Sequence, residues 1–210
     1  MIELYTWRAP NGLPVSIMLE ELGLPYVVHP VDLTRKAQAA PDFQALSPNG
    51  KIPLIIDQDG PGGPLRVFES GAILTYLAEK TERFLPTTGA ARYEALEWLH
   101  WHITGLVPML GQLLFFAVVS QEEVPAAMAR YTSEVDRMLT ILERRLTASP
   151  YVGGTDYSIV DMTVFSWLSF APVFAGSILA GAIADRHAIR DWLVQVGERP
   201  AVKVGMLIPA

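Results

Sequence analysis

The chain predicts a small α/β layer followed by an all-helical domain, on three observations. Its first eighty residues alternate short apolar runs with amphipathic helical patterns. Beyond residue 90 every hydrophobic period is helical, and the stretch between carries Pro86, Thr87, Thr88 and Gly89, residues that punctuate structure. Ile2–Trp7 reads as a strand. Asn11-Gly12 then opens a helix that runs through Glu21, with Pro14 in its first turn, where a missing N–H loses nothing, and Gly23 closes it. Tyr26–Val31 is a second strand, and strand-helix-strand implies parallel pairing through a right-handed crossover. Ala37–Leu46 is a weaker helix. Pro53–Asp57 and Leu65–Phe68 are strands joined as a hairpin by the glycine-proline loop 60–64. Ser70–Lys80 is a helix with Ile73, Leu74 and Leu77 on one face. The order βαβ, α, ββα is that of a thioredoxin-like layer.

This divides the chain into a thioredoxin-like domain at 1–80, a linker at 81–90 and an all-helical domain at 91–210. In the last, Arg92–Phe116 carries a long apolar and aromatic stripe. Pro125–Leu146 sets Tyr131, Val135, Met138, Leu139 and Leu142 at helical spacing, and Ile189–Val196 is a final helix ahead of Arg199-Pro200.

Composition narrows the function. Half the residues are apolar and the net charge is −6, which argues against nucleic acid as a partner. Cysteine is absent, so disulfides, thiolate metal sites, a CxxC redox pair and a cysteine nucleophile are excluded. A cytoplasmic protein is expected, and Met1-Ile2-Glu3-Leu4-Tyr5 has no signal-peptide character. The uncharged run Met162 to Ala184 is long enough to span a bilayer. It begins, however, with a capping box at Ser158 and Asp161, flanked by Tyr157 and Met162 as a hydrophobic staple, which is how a soluble core helix begins. Pro172 is expected to break the run into two helices, so no membrane partner is expected. His100 and His102 stand two apart on a helix and face different directions, so no metal is expected.

Chemistry concentrates at three places. Ile52-Pro53 follows the turn Ser47-Pro48-Asn49-Gly50 and precedes an apolar run. Pro53 cannot complete a sheet ladder, whereas Ile52 keeps both backbone polar groups and, if the bond is cis, offers them to an extended peptide. Glu69-Ser70 begins a helix, where a hydroxyl and free N–H groups make a carboxylate site. A peptide-binding edge beside an anion site fits a γ-glutamyl tripeptide. Asn11, in the loop after the first strand, can donate its amide to a thiolate near a helix start, or serve only as a cap.

With these motifs in place, the chain resembles the glutathione transferase superfamily over nearly its whole length. The stretches are Ala9-Pro10-Asn11-Gly12, Ser47 to Pro53, Phe68 to Leu77, and Gly105 to Gln112 with its Pro-Met-Leu-Gly-Gln. They are similar to the bacterial Nu-class enzymes and to the related yeast nitrogen-regulation protein. The resemblance implies a homodimer using glutathione as cosubstrate and reducing a small disulfide without a protein cysteine. Asn11 would activate the thiol, and Gln38, Lys51, Ile52, Pro53, Glu69 and Ser70 would bind the tripeptide. Arg130 would face the second-substrate region or a second glutathione. Close relatives often carry threonine where this chain has Ala9; Arg8 beside it is a compensating cation. Arg8, Ala9, Leu113, Phe116 and Trp167 are expected to line the second-substrate pocket. The continuous run Leu113 to Phe116 favours an apolar electrophile as the alternative acceptor, and a non-catalytic glutathione-binding regulator or ligand carrier is the rival from another class.

Overall fold

In this computed structural model residues 1–175 and 177–209 are described, those at 171–175, 177 and 178 by backbone alone. The chain forms two compact units, one of Met1–Arg83 with the segment from Arg199 onward, the other of Phe84–Glu198.

The first unit begins with β1 (Ile2–Thr6), α1 (Leu13–Leu22), β2 (Tyr26–Pro30), α2 (Pro41–Leu46), β3 (Leu54–Asp57), β4 (Leu65–Phe68) and α3 (Ser70–Thr81). The sheet order is β2-β1-β3-β4. β1 and β2 are parallel with Leu4 opposite Val28, and β1 and β3 are antiparallel with Leu4 opposite Ile55. β3 and β4 form the expected hairpin, Leu54 opposite Phe68. Alternation along β1 sends Ile2, Leu4 and Thr6 inward, where they are buried together with Leu13, Ile17 and Met18 of α1 and Ile73, Leu74 and Leu77 of α3. Asp57, buried at the end of β3, ties the sheet to α3 by accepting hydrogen bonds from the Tyr76 hydroxyl at 2.7 Å and Lys80 Nζ at 2.6 Å.

The helix expected over 37–46 is shorter. Tight 3-10 turns occupy Leu33–Arg35 and Ala37–Ala39, and α2 starts only at Pro41. The proline ring holds Ala40 extended, at φ −63° and ψ 137°, so no helix crosses that residue.

The second unit holds α4 (Gly89–Trp101), α5 (Val107–Leu114), α6 (Pro125–Ala148), α7 (Ile159–Ala175), α8 (Ser177–Ala184) and α9 (His187–Gly197). π-helical turns at His102–Leu106 and Phe115–Val119 make one helix of Gly89–Val119, long and apolar enough to span a bilayer by length and composition alone, a test that core helices of soluble proteins also pass. Across the uncharged run from Met162, α7 continues through position 172 to Ala175, so no break falls at the proline, and α8 is described from Ser177.

The capping box at the start of α7 is present. Ser158 Oγ accepts from the Val160 N–H at 3.3 Å, and the Asp161 carboxylate accepts from the Ser158 N–H at 3.1 Å. Asp161 also takes the Ser158 hydroxyl, the Val152 N–H at 2.8 Å and the Trp192 indole N–H at 3.0 Å. Burial, the largest influence on this carboxyl, lifts its pKa, while these four donors pull the other way.

His102 is buried in the first π turn, and neither ring nitrogen has a hydrogen-bond partner among the described residues. Burial pushes its imidazole down to about 3, so the folded protein stays neutral there while the unfolded chain takes up a proton below its ordinary value. Stability is therefore full above pH ~6.5 and is lost as pH falls below it, by about 2 kcal/mol at pH 5. His102→Leu should flatten that acid limb and leave the fold equally or more stable at neutral pH; chemical denaturation at several pH values measures both.

A last helix, α10 (Pro200–Gly205), lies against α1 in the first unit, so the boundary expected at 91–210 is corrected. Local pattern assigns the tail to the helical domain; tertiary contacts move it. Ser16 Oγ donates to the Gly205 carbonyl at 2.8 Å, and Arg199 grips Glu21 through two hydrogen bonds of 2.6 and 2.9 Å. A Cβ at Gly205 would stand 2.6 Å from Ile17 Cα. Gly205→Val is accordingly expected to destabilise the first unit by about 3 kcal/mol, read as a lower thermal midpoint.

Candidate glutathione-binding cavity

The turn after β1 folds back on itself. The Ala9 N–H donates to the Trp7 carbonyl at 2.7 Å, and the Ala9 carbonyl accepts from Gly12 at 2.9 Å and Leu13 at 3.1 Å. Glycine is required at 12, because a Cβ there would meet Thr6 Oγ1 at 2.4 Å and the Trp7 carbonyl at 2.5 Å. Gly12 is the N-cap of α1, so Asn11 stands one residue before the cap, exposed, and is not itself the capping residue.

Buried Ser47 pins the next loop. Its hydroxyl accepts from the Lys51 N–H at 3.3 Å and donates to the Lys51 carbonyl at 3.1 Å, while the Gly50 N–H returns to the Ser47 carbonyl at 2.9 Å. Gly50 takes φ 61°, a conformation glycine adopts without penalty. The Ile52–Pro53 bond is cis.

Between β4 and α3 the backbone is strained. Glu69 sits at φ 69° and ψ 121°, which a side-chain-bearing residue keeps only when its surroundings hold it there. Ser70 is the first residue of α3 rather than its cap, and the helix start adds positive potential beside it.

These segments meet around one cavity of about 120 Å³, lined by Asn11, Asn49, Lys51, Ile52, Pro53, Phe68, Glu69 and Ser70. Asn49 Nδ2 donates to Glu69 Oε1 at 3.2 Å. Lys51 and the start of α3 attract carboxylates; Glu69 attracts a cation; Ile52 contributes main chain and Asn11 a neutral amide. The wall thus suits a zwitterionic, extended ligand with two carboxylates and one ammonium group.

Six of the residues singled out in sequence, Asn11, Lys51, Ile52, Pro53, Glu69 and Ser70, share this lining. Gln38 does not; it is half-buried on the Ala37–Ala39 turn, its Oε1 without a hydrogen-bond partner among the described residues. Arg8 and Ala9 lie in the β1–α1 turn and are also outside the lining. Asn49 and Phe68 line the cavity and were not singled out. Asn49 was visible only as a turn residue, and nothing in the pattern marks its side chain as facing Glu69. Tyr5 packs as a strand residue, stacked on His29 at 4.4 Å.

The other expected residues belong to the second unit. Arg130 is exposed on α6. Leu113 lines a largely apolar cavity of about 500 Å³ with residues of α6 and α8, and Phe116 lines another of about 490 Å³ while stacking on Tyr131 at 5.7 Å. Trp167 is buried, its ring edge 4.0 Å from where a Cβ on Gly111 would be. Among the described residues no group of three His, Cys, Asp or Glu is placed to hold a metal.

Comparison with known proteins agrees with the fold. Residues 9–80 match the family described as glutathione S-transferase, N-terminal domain, and 125–194 match the corresponding C-terminal domain. The disulfide-bond oxidoreductase YfcG of Escherichia coli is 40% identical across 99% of this chain and 95% of its own. A glutathione transferase family member from Pseudomonas fluorescens, solved with two glutathiones bound, superposes with a TM-score of 0.94 at 40% identity, covering 99% of this chain and 93% of that one. A glutathione transferase from Pseudomonas putida, with one glutathione disulfide bound per subunit, gives a TM-score of 0.95 at 40% identity over 100% and 92%. With both domain matches in sequence order and these relatives matched nearly end to end, the chain belongs to the glutathione S-transferase family.

Proposed function

We propose that this protein is a Nu-like glutathione-dependent disulfide reductase, a cytoplasmic homodimer that works through the thiolate of bound glutathione. The observation that carries the reading is the single cavity shared by Asn11, Lys51, Ile52, Glu69 and Ser70 in a chain without cysteine. Ile52 pairs with the cysteinyl main chain and Lys51 faces the glycyl carboxylate. Ser70 and the first N–H groups of α3 take the γ-glutamyl carboxylate, and Glu69 takes its ammonium. Asn11 donates to the sulfur. Ionising half of a thiol of pKa about 8.5 at pH 7 requires about 2 kcal/mol, and a hydrogen bond to a charged group supplies about 1.5–3 kcal/mol, so no general base is needed.

The thiolate attacks one sulfur of the acceptor disulfide and forms a mixed disulfide; the expelled thiolate takes a proton from solvent. A second glutathione thiolate then attacks the glutathione sulfur, releasing the second acceptor thiol and glutathione disulfide. The two glutathiones in the Pseudomonas fluorescens relative and the glutathione disulfide in the Pseudomonas putida relative match the reactants and product of that sequence. Arg130 is the proposed cation for the second glutathione. Exposed Phe115, Val118 and Val119 on the Gly89–Val119 helix are the kind of apolar surface a dimer covers.

The apolar lining around Leu113 favours a second reaction, conjugation of glutathione to an apolar electrophile. Turnover of a small model disulfide by glutathione, coupled to glutathione reductase, tests the proposal. Catalysis above the uncatalysed rate is expected. Its absence, with glutathione still bound, would hand the site to conjugation or to a non-catalytic binding role.

A further inference from the structure

We propose that Asn49 is a positioning residue that sets recognition of the ligand's ammonium group by holding the Glu69 carboxylate; the inference rests on reading the cavity as the glutathione site. Glu69 is a flexible, exposed side chain on a strained backbone position, φ 69°, just before the start of α3. One hydrogen bond orients this carboxylate, Asn49 Nδ2 to Glu69 Oε1 at 3.2 Å, and no other donor to it is found among the described residues. Asn49 can serve as an anchor because its own turn is fixed: the Gly50 N–H closes on the Ser47 carbonyl, and the Ser47 hydroxyl grips both backbone groups of Lys51.

The chemical type of the anchor matters. An amide donor orients the carboxylate without neutralising it, whereas a lysine there would form an ion pair and compete with the ligand's ammonium. With Oε1 held by Asn49, Oε2 and the full negative charge remain for the ligand. Asn49 thereby ties selectivity for γ-glutamyl compounds to a residue in a different loop from the one that makes the contact.

The test is a binding cycle with two ligands, glutathione and its analogue lacking the γ-glutamyl amino group, measured by calorimetry on wild type and Asn49→Ala. Losing one hydrogen bond to a charged group should weaken glutathione binding about tenfold in the variant. The deaminated analogue should bind wild type and variant within about twofold of each other, because it offers Glu69 nothing to meet. Asn49→Asp, which sets a second carboxylate against Glu69, should weaken glutathione more than Asn49→Ala does. Equal losses for both ligands would mean that Asn49 only shapes the loop, and undiminished glutathione binding in Asn49→Ala would mean that Glu69 needs no anchor; either overturns the inference while leaving the glutathione site standing. Wild type that binds neither ligand would overturn the site and the inference together.

Discussion

Asn11→Ala is expected to lower turnover of a model disulfide by about 30-fold, with a much smaller effect on glutathione affinity. The number is one hydrogen bond to a developing or resident thiolate, about 2 kcal/mol, expressed as a rate ratio. The split follows from where the residues lie. Lys51, Ile52, Glu69 and Ser70 line the same cavity and, in the proposed binding mode, meet the tripeptide's charged ends and main chain, and these are untouched by the substitution. Asn11 stands before the N-cap of α1, in a turn whose backbone is held by hydrogen bonds among Trp7, Ala9, Gly12 and Leu13. An affinity loss as large as the rate loss would make Asn11 a binding residue and move thiol activation to the helix start alone. A variant as fast as wild type would remove Asn11 from the chemistry.

Asp161→Ala is expected to be the most destabilising single change in the second unit, by about 3–5 kcal/mol. The substitution leaves four donors without their acceptor: two backbone N–H groups, the Ser158 hydroxyl and the Trp192 indole. Through them Asp161 joins the turn at Val152, the start of α7 and the body of α9, so the loss spreads over three segments. Asp161→Asn keeps the size and one acceptor oxygen and should lose less. Urea denaturation of the three proteins ranks them, and an alanine variant within about 1 kcal/mol of wild type would mean that water replaces the carboxylate at little cost.

Much of this was legible in the sequence because the relevant residues act locally. Strand and helix periods placed the elements from β1 to α3, α2 excepted, within a residue or two, since each buries one face on the same core. The cavity residues were also legible, because Asn11, Ile52, Glu69 and Ser70 each sit where a strand or turn hands over to a helix or strand. The remainder depends on contacts between distant segments. Arg199-Pro200 reads as the end of a helix, and it takes contacts with distant residues, Ser16 with Gly205 and Arg199 with Glu21, to hold α10 in the first unit. The π turns at His102 and Phe115 leave no mark on a hydrophobic pattern that keeps running through them, yet they rotate every later side chain. Gln38 was placed on a helix that Pro41 shortens, and Asn49 was read as a turn former although its side chain also serves Glu69.

The central claim, that this cavity holds glutathione as a thiolate, is tested most directly by titrating the ultraviolet thiolate absorbance of protein-bound glutathione against pH. The account predicts an apparent thiol pKa near 7 in wild type, against about 8.5 for a free thiol, and a return most of the way to that value in Asn11→Ala. A bound thiol in wild type that titrates as it does in water would contradict the account, whatever the turnover shows.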